Sequence, residues 1–423
     1  STITQSFSSG STIFGDSGDD THQFTGSLFI SASRIDLVDH DTLGTFLGFN
    51  AGTGSGDGTS NVGIGYEALT SPNGAQSVVA IGRGAGKNIT KSSQSGVYSI
   101  LLGTNANYNN TAGSNVIAIG FGAGGHSSAG QTNAILIGQQ AGDAGAGPTN
   151  SIVIGHGAFG SATGHAQYIT AVGQDAMKGS ASTTTGINGA VAIGHKSLYA
   201  ITSGAGNTAV GYESGVAITS GARNTAIGYQ SALNNATGAD GTFLGYQSGL
   251  NVLLNYNTGI GAYTLQKLGT TGGGGAGENN TAIGALAMSG GDDTVANNTA
   301  KNNVAVGYAT LGGATKSSDG SAFTTNSSVA IGYQALTTIT TGTNNVAVGY
   351  QAGYSTDSNG SNVFIGHNAG YEADSATVSA INNVYIGEAA GRYLDDGVNN
   401  VALGFGAMQS NSDGAANAVN SAI

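Results

Sequence analysis

The chain has 423 residues, of which 75 are glycine and none is cysteine, and its formal net charge is −12. Only 8 % of the residues are charged and the balance is acidic, which argues against a nucleic-acid partner because phosphate binding needs a basic face. The lack of cysteine excludes a disulfide framework. The sequence contains no run of 18 or more apolar residues, so it predicts no membrane-spanning helix. Backbone hydrogen bonds and packing must therefore stabilise the fold.

Residues 1–44 differ from the rest of the chain and are predicted to form an N-terminal connector or cap. The apolar and polar residues of Gln23 to Ile30 alternate, which predicts one short strand. Asp36, Asp39 and Asp41 supply carboxylates of the kind that bind Ca²⁺, although their spacing matches no known calcium loop. The alternative is a charged, solvated cap that covers the open end of a repeat array.

From residue 45 to residue 410 one short motif returns, seen clearly as Asn-Thr-Ala-Val-Gly at 207–211. The motif glycine occurs in twenty copies, spaced 16 to 25 residues apart and most often 17. A fixed period of this kind is typical of a stacked solenoid. The glycines are Gly48, Gly65, Gly82, Gly103, Gly120, Gly138, Gly155, Gly173, Gly194, Gly211, Gly228, Gly245, Gly261, Gly284, Gly307, Gly332, Gly349, Gly366, Gly387 and Gly404.

Positions counted from this glycine predict a strand just before it. Position −3 is Val, Ile or Thr and position −1 is Ile, Val or Leu in every copy, and β-branched residues two apart favour extended backbone. Position −2 is mostly Ala, so both faces of the strand are apolar, and we expect both to be buried. Position +4 is usually Gly or a larger apolar residue, as at Leu69, Phe159, Leu336 and Met408, where a tight turn is expected.

These columns predict an all-β fold, a parallel β-solenoid or β-roll of about twenty rungs. Seventeen residues per rung allow two strands of five or six residues and two turns. We expect the β-branched face to cover the second strand of the same rung and the Ala face to pack on other chains. The predicted assembly is an intertwined or side-by-side homotrimer that forms a rod of roughly 90 to 100 Å.

Position −4 is Asn in half of the copies, which predicts a ladder of stacked side chains with a structural role. The copies taken as typical carry Asn207, Asn224, Asn345 and Asn362.

Three successive rungs within residues 262–331 are longer than the others, because stretches rich in Gly, Ser, Thr and Asn are added. Insertions on neighbouring rungs emerge on one side of a solenoid and often form its binding face, whereas the alternative is loop drift without function. The candidate receptor-facing residues are Thr270, Glu278, Asp292, Asp293, Lys316 and Asp319. Residues 411–423 are predicted to be a C-terminal cap or the start of a removed region.

Catalytic motifs are absent from the sequence. It has no Gly-x-Ser-x-Gly elbow, no His-Glu-x-x-His and no lysine-bearing phosphate loop, so no catalytic, cofactor or metal residue is assigned. His156, His195 and His367 stand at position +1, where ten other copies have Tyr or Phe. This column is either a stacking ladder or an exposed stripe for sugars, and its histidines form a metal ring only if they face a threefold axis.

The repeats resemble those of two groups of extracellular proteins. Asn224 to Gly228 and Ser328 to Gly332 look like the head repeats of trimeric autotransporter adhesins, and Asn345 to Gly353 is similar to repeats of bacteriophage tail fibres. The likeness covers residues 42–410, and Phe14 to Leu28 is similar to short modules of phage tail fibres. The period here is longer than in the adhesins, and no coiled-coil heptads are present.

The resemblance implies a structural and adhesive protein. We expect the trimeric shaft of a phage tail fibre, in the virion or at a cell surface, that binds a host glycan or surface protein and contacts other fibre or virion proteins at its ends. The alternatives are a bacterial trimeric surface adhesin and a self-assembling extracellular filament. A polysaccharide depolymerase would need a carboxylate cluster, such as Glu278 with Asp292 and Asp293.

Overall fold

The structure is a computed structural model, and its described residues all lie in the compact unit Asp39–Ile423, not in the unit Ser1–Val38. The described range is 44–410 except 54–58, 72–73, 90–97, 112, 126–129, 144, 146, 162–165, 180–185, 267, 269–276, 291–298, 313–322, 357, 359, 373, 376–377 and 395–396. The predicted cap, with the candidate calcium residues Asp36, Asp39 and Asp41, and the tail 411–423 therefore lie outside it.

The described residues form a parallel β-solenoid, which confirms the predicted all-β class. Twenty strands, one for each motif glycine, pair in chain order into a single parallel sheet. The motifs stack in register, so that Ala209 lies opposite Ala226. None of the described residues is helical.

The sheet strands are β1 (Thr45–Leu47), β2 (Val62–Ile64), β3 (Val79–Ile81), β4 (Ile100–Leu102), β5 (Val116–Ile119), β6 (Thr132–Ile137), β7 (Thr149–Ile154), β8 (Thr170–Val172), β9 (Val191–Ile193), β10 (Thr208–Val210), β11 (Thr225–Ile227), β12 (Thr242–Leu244), β13 (Thr258–Ile260), β14 (Thr281–Ile283), β15 (Val304–Val306), β16 (Val329–Ile331), β17 (Val346–Val348), β18 (Val363–Ile365), β21 (Val384–Ile386) and β22 (Val401–Leu403). The short strands β19 (Asp374–Ser375) and β20 (Val378–Ser379) pair with each other as an antiparallel hairpin.

The prediction of two strands in each rung is wrong, because each regular rung contains one short strand and a series of turns. Several residues of the turns have left-handed backbone, such as Glu213 at φ 52° and Arg223 at φ 56°. Their N–H groups still bond to the neighbouring rung, for example Glu213 to the carbonyl of His195 at 2.9 Å. The left-handed residues bend a 17-residue coil tightly while its backbone groups stay paired.

The expected direction of the strand faces is also wrong. The −2 column points into the coil, where Ala209 and Ala226 are fully buried, whereas the −1 column faces outward and Ile331 is 39 % exposed. The interior of a one-strand coil is too narrow for two β-branched columns, so the −2 column, which is mostly Ala, lies inside and the branched residues line the outside.

Inside the coil, positions −2 and +4 of one rung share the same space. Phe243 at −2 accompanies Gly249 at +4, where an added Cβ would overlap the Phe243 ring. In another rung the sizes are reversed, with Ala192 at −2 and Leu198 at +4, and both are fully buried. The large residue with glycine recurs in the pairs Phe46 and Gly52, Leu136 and Gly142, Phe364 and Gly370, and Tyr385 and Gly391.

Candidate interaction surface

The outer face of the main sheet is made of columns −3, −1 and +1, and we call it the outer stripe. It is largely apolar and aromatic, but position −3 is Thr in seven copies and position +1 includes Arg83, Gln139, Gln174 and Glu388. Ile331 and Tyr333 in this stripe are 39 % and 43 % exposed. Columns two residues apart are separated by about 6.6 Å and rungs by about 4.8 Å, so the stripe is about 13 Å wide and covers roughly 1,200 Å² over twenty strands. Soluble monomers rarely expose a contiguous apolar patch larger than a few hundred Å².

The +1 column of the outer stripe is a ladder of stacked rings. Tyr212 stacks on Tyr229 with centroids 5.3 Å apart and planes at 7°, and Tyr229 stacks on Tyr246 at 5.2 Å and 6°. A second run joins Tyr333 to Tyr350 at 5.1 Å and 8°. The rings stack within the chain and remain nearly half exposed, so they also present an aromatic edge to a partner.

Two of the three histidines of this column belong to the ring ladder. His195 stacks on Tyr212 at 5.0 Å and His367 stacks on Tyr350 at 5.1 Å, while His156 is exposed in the same column. Among the residues that the structure describes, no three His, Asp or Glu side chains lie together as a metal site would require.

A polar column at position +2 borders the outer stripe. The amide of Gln247 donates to the Gln230 side chain at 2.8 Å, and the Gln230 amide donates to the Glu213 carboxylate at 2.9 Å. The Glu213 charge in turn raises the pKa of Tyr212. The stripe therefore has a hydrogen-bonded polar edge, as the rims of protein interfaces do.

Ion pairs between rungs add to the polar surface of the coil. Arg223 binds Asp240 at 2.6 Å, and its guanidinium lowers the pKa of that carboxyl through their hydrogen bond. Lys87 binds Glu67 at 2.6 Å. The side chains of both pairs keep a quarter or more of their surface exposed to solvent, so each pair adds only modestly to stability.

The asparagines at position −4 lie inside the coil and bond mainly to backbone. The Asn224 side chain accepts the N–H of Gly241 at 2.9 Å and donates to the carbonyl of Gly238 at 2.7 Å. Its own N–H donates to the Asn207 side chain at 2.9 Å. Asn345 accepts the N–H of Asn362 in the same way at 3.0 Å. These side chains join each rung to the next, as a structural ladder requires.

The motif glycines hold neighbouring rungs close together. Gly366 has a φ of +136°, and an added Cβ would stand 2.5 Å from the carbonyl oxygen of Gly387. Gly65 is similar, with φ +129° and a distance of 2.7 Å to the Gly82 oxygen. The remaining typical glycines Gly120, Gly211, Gly228 and Gly349 have φ values of 135°, 139°, 133° and 143°.

Of the predicted receptor-facing residues, only Glu278 is described. It is half-buried on the regular coil, where its carbonyl accepts the N–H of Asn302 at 3.0 Å. Thr270, Asp292, Asp293, Lys316 and Asp319 lie outside the described residues.

Sequence reasoning missed a surface notch of about 130 Å³ beside the outer stripe, which we call the Gly122 notch. The signal was present in the sequence, because the rung that begins at Gly120 has glycine at both +2 and +5, between rungs that carry side chains there. The notch is lined by Asn105, Tyr108, Asn109, Phe121, Gly122, Gly125, Gln140 and Asp143.

No protein-family model and no curated protein matches the chain. Among the described residues there is no helix long and apolar enough to cross a membrane.

Proposed function

We propose that the chain is a structural and adhesive fibre protein, the shaft of a phage tail fibre that associates as a homotrimer and attaches to a host cell surface. The outer stripe is the observation that carries the proposal. The stripe has a footprint of roughly 1,200 Å², which is larger than the about 800 Å² that each partner buries in a standard protein interface.

The trimer interface that we propose is the outer stripe and not the Ala face, which is inside the coil. Copies that run parallel around a common axis bring identical rungs to the same height, so that the tyrosine runs of all chains meet. Threefold closure hides the stripes around the axis and leaves no apolar surface open for further addition.

Attachment follows from the repetition of surfaces around this axis. Three copies of a weak contact with a host glycan or surface protein give strong attachment when all three bind at once. In this function the ends of the shaft contact other fibre or virion proteins, and the protein is located in the virion or at a cell surface.

The native mass tests the trimer directly. Three chains of 41.3 kDa give about 124 kDa, measured by sedimentation or native mass spectrometry. Ile331→Glu places a carboxylate in the outer stripe of each chain, and we expect it to shift the trimer to monomers because buried unpaired charges cost several kcal/mol each. The matched control is Ser220→Glu, at an exposed turn residue away from the strand.

A monomeric or dimeric wild-type protein would contradict the proposal, as would an Ile331→Glu variant that remains trimeric. Larger open-ended assemblies would favour an extracellular filament instead. Release of reducing sugar from host polysaccharide would favour a depolymerase.

A further inference from the structure

The first tyrosine run of the ring ladder holds three phenol groups in neighbouring rungs. Tyr229 lies between Tyr212 and Tyr246, with ring centroids 5.3 and 5.2 Å away and ring planes at 7° and 6°. The structure describes every residue from 186 to 266, the stretch that contains this run. The middle phenol therefore has one parallel phenol a rung above it and another a rung below.

A second run repeats this arrangement further along the chain. Tyr333 lies between Tyr308 and Tyr350, with ring centroids 5.3 and 5.1 Å away and ring planes at 13° and 8°. The strands just before these tyrosines pair in parallel and in register. Strand pairing therefore fixes the phenols of both runs at the spacing of one rung, which is about 4.8 Å.

The six tyrosines of these runs are exposed enough to move. Their side chains are 42 to 45 % exposed, so the rings lie outside the coil and a tilt of a ring does not disturb the buried interior. An oxidised tyrosine, a phenoxyl radical, carries its unpaired electron on the oxygen and on the two neighbouring Cε carbons. A second phenol held one rung away gives such a radical a coupling partner without any need for diffusion.

We propose that the two tyrosine runs are sites of oxidative cross-linking, at which dityrosine joins neighbouring rungs of one chain. Each of the two tyrosines gives one electron to an external one-electron oxidant and releases its phenolic proton to water. The two radicals form one bond between a Cε carbon of each ring. Each coupled carbon then passes its hydrogen to the oxygen of its own ring, which restores both phenols. One cross-link consumes two equivalents of oxidant and removes two hydrogen atoms from the chain.

The middle tyrosine of each run has two Cε carbons, so it can couple to both of its neighbours and join three rungs. Tyr212 and Tyr229 are 17 residues apart, and a bond between them closes a loop that restricts the unfolded chain as a disulfide does. The sequence contains no cysteine, so dityrosine supplies a covalent link that disulfides do not. This inference goes beyond the proposed function and does not depend on it, because each pair lies within one chain.

The test removes one phenol and keeps its ring. Phenylalanine already occupies the same column at Phe49, which stacks on Tyr66 with centroids 5.7 Å apart, so Tyr229→Phe should preserve the ring ladder. Both phenol pairs of the first run are lost in this variant. The remaining two phenols, of Tyr212 and Tyr246, stand two rungs or about 9.6 Å apart.

The matched control is Tyr256→Phe. Tyr256 is 58 % exposed, more than Tyr229, and it lies at position −5, where the neighbouring rungs carry Asp240 and Asn279. It is therefore open to the oxidant but has no phenol beside it in its own column. Equal thermal melting of wild type and both variants shows that the coil is intact.

The full chain is oxidised by illumination with tris(bipyridine)ruthenium and persulfate, which takes electrons from tyrosine without binding to the ring. Dityrosine fluorescence reports the total yield, and trypsin digestion with mass spectrometry locates the bonds. Cleavage after Arg223 places Tyr212 in peptide 197–223 and the other two tyrosines of the first run in peptide 224–267. A cross-link joins these two peptides with the loss of two hydrogen atoms, and fragmentation identifies the linked tyrosines.

The second run is an internal reference, because cleavage after Lys316 divides it between peptides 302–316 and 317–392. We expect wild type and Tyr256→Phe to give the joined peptides of both runs. Tyr229→Phe should lose those of the first run and keep those of the second. Three results would overturn the proposal: no dityrosine in the wild type, first-run peptides that remain joined in Tyr229→Phe, or an equal loss in Tyr256→Phe.

The mass of the oxidised chain separates this inference from the proposed function. Bonds within one chain leave it at 41.3 kDa on a denaturing gel, whatever the native mass. Ladder cross-links in a protein of monomeric native mass would support this inference and contradict the trimeric fibre. Bonds found only between chains would overturn this inference and support the contact between copies.

Discussion

A double substitution of Phe243 and Gly249 tests whether positions −2 and +4 share one space inside the coil. Phe243→Ala removes a fully buried ring, which costs about 3–5 kcal/mol. Gly249→Leu forces a side chain into the Phe243 ring, costing about 1–3 kcal/mol for overpacking and about 1–2 kcal/mol for left-handed backbone. The double variant recreates the natural pair of Ala192 and Leu198, so only the backbone cost of about 1–2 kcal/mol should remain.

The expected coupling between the two changes is therefore at least about 3 kcal/mol. Guanidinium unfolding measures the free energies, and amide hydrogen exchange in the affected rung reports local opening where a repeat array departs from two-state behaviour. The control pair is Phe243→Ala with Gly370→Leu, which lie in different rungs and should be additive. Additive losses for Phe243→Ala with Gly249→Leu would refute the shared space.

Two further predictions concern buried polar groups. Asn224→Ala leaves the N–H of Gly241 and the carbonyl of Gly238 without their partner, and should lower the free energy of unfolding by about 2–5 kcal/mol; Asn224→Ser should lose less, because Ser328 at the same position accepts the next N–H at 3.1 Å. Equal losses for both variants in guanidinium unfolding would contradict this role of the side-chain oxygen. Burial raises the pKa of Tyr385 to about 12 from its ordinary 10.0, so the stability it contributes is complete below pH 10 and is lost as the pH rises towards 12. Its tyrosinate absorbance should appear only near pH 12. Between pH 10 and 12 the free energy of unfolding of Tyr385→Phe should fall less with rising pH than that of the wild type. Titration of Tyr385 at pH 10 would contradict its burial.

The sequence was sufficient to predict the strands of the solenoid. Val, Ile or Thr at −3 and Ile, Val or Leu at −1 located all twenty strands, because β-branching two residues apart has few explanations other than extended backbone. The alternation of side chains along a strand separates its two faces, but when both faces are apolar it does not show which one lies inside the coil. The width of the coil decides that, and width depends on how the remaining residues turn.

The turns were hard to predict because many of their left-handed residues are not glycines. Glu213, Leu198 and Arg223 adopt positive φ, and inter-rung hydrogen bonds at 2.9–3.0 Å stabilise that backbone against its local cost. A prediction that uses only the residue type at each position would assign these residues to a strand. The complementary sizes of Phe243 and Gly249 could have been found in the sequence only by comparing position −2 with position +4, six residues later.

The in-register stacking of the rungs has a consequence for the length of the molecule. Ala209 lies opposite Ala226, and the segment between them contains one whole rung, so duplicating it inserts a coil whose upper and lower neighbours are those that the original already had. Each duplication lengthens the stack by about 4.8 Å and creates no new kind of contact. The length of the solenoid can therefore change in steps of one rung while every existing contact between rungs is preserved.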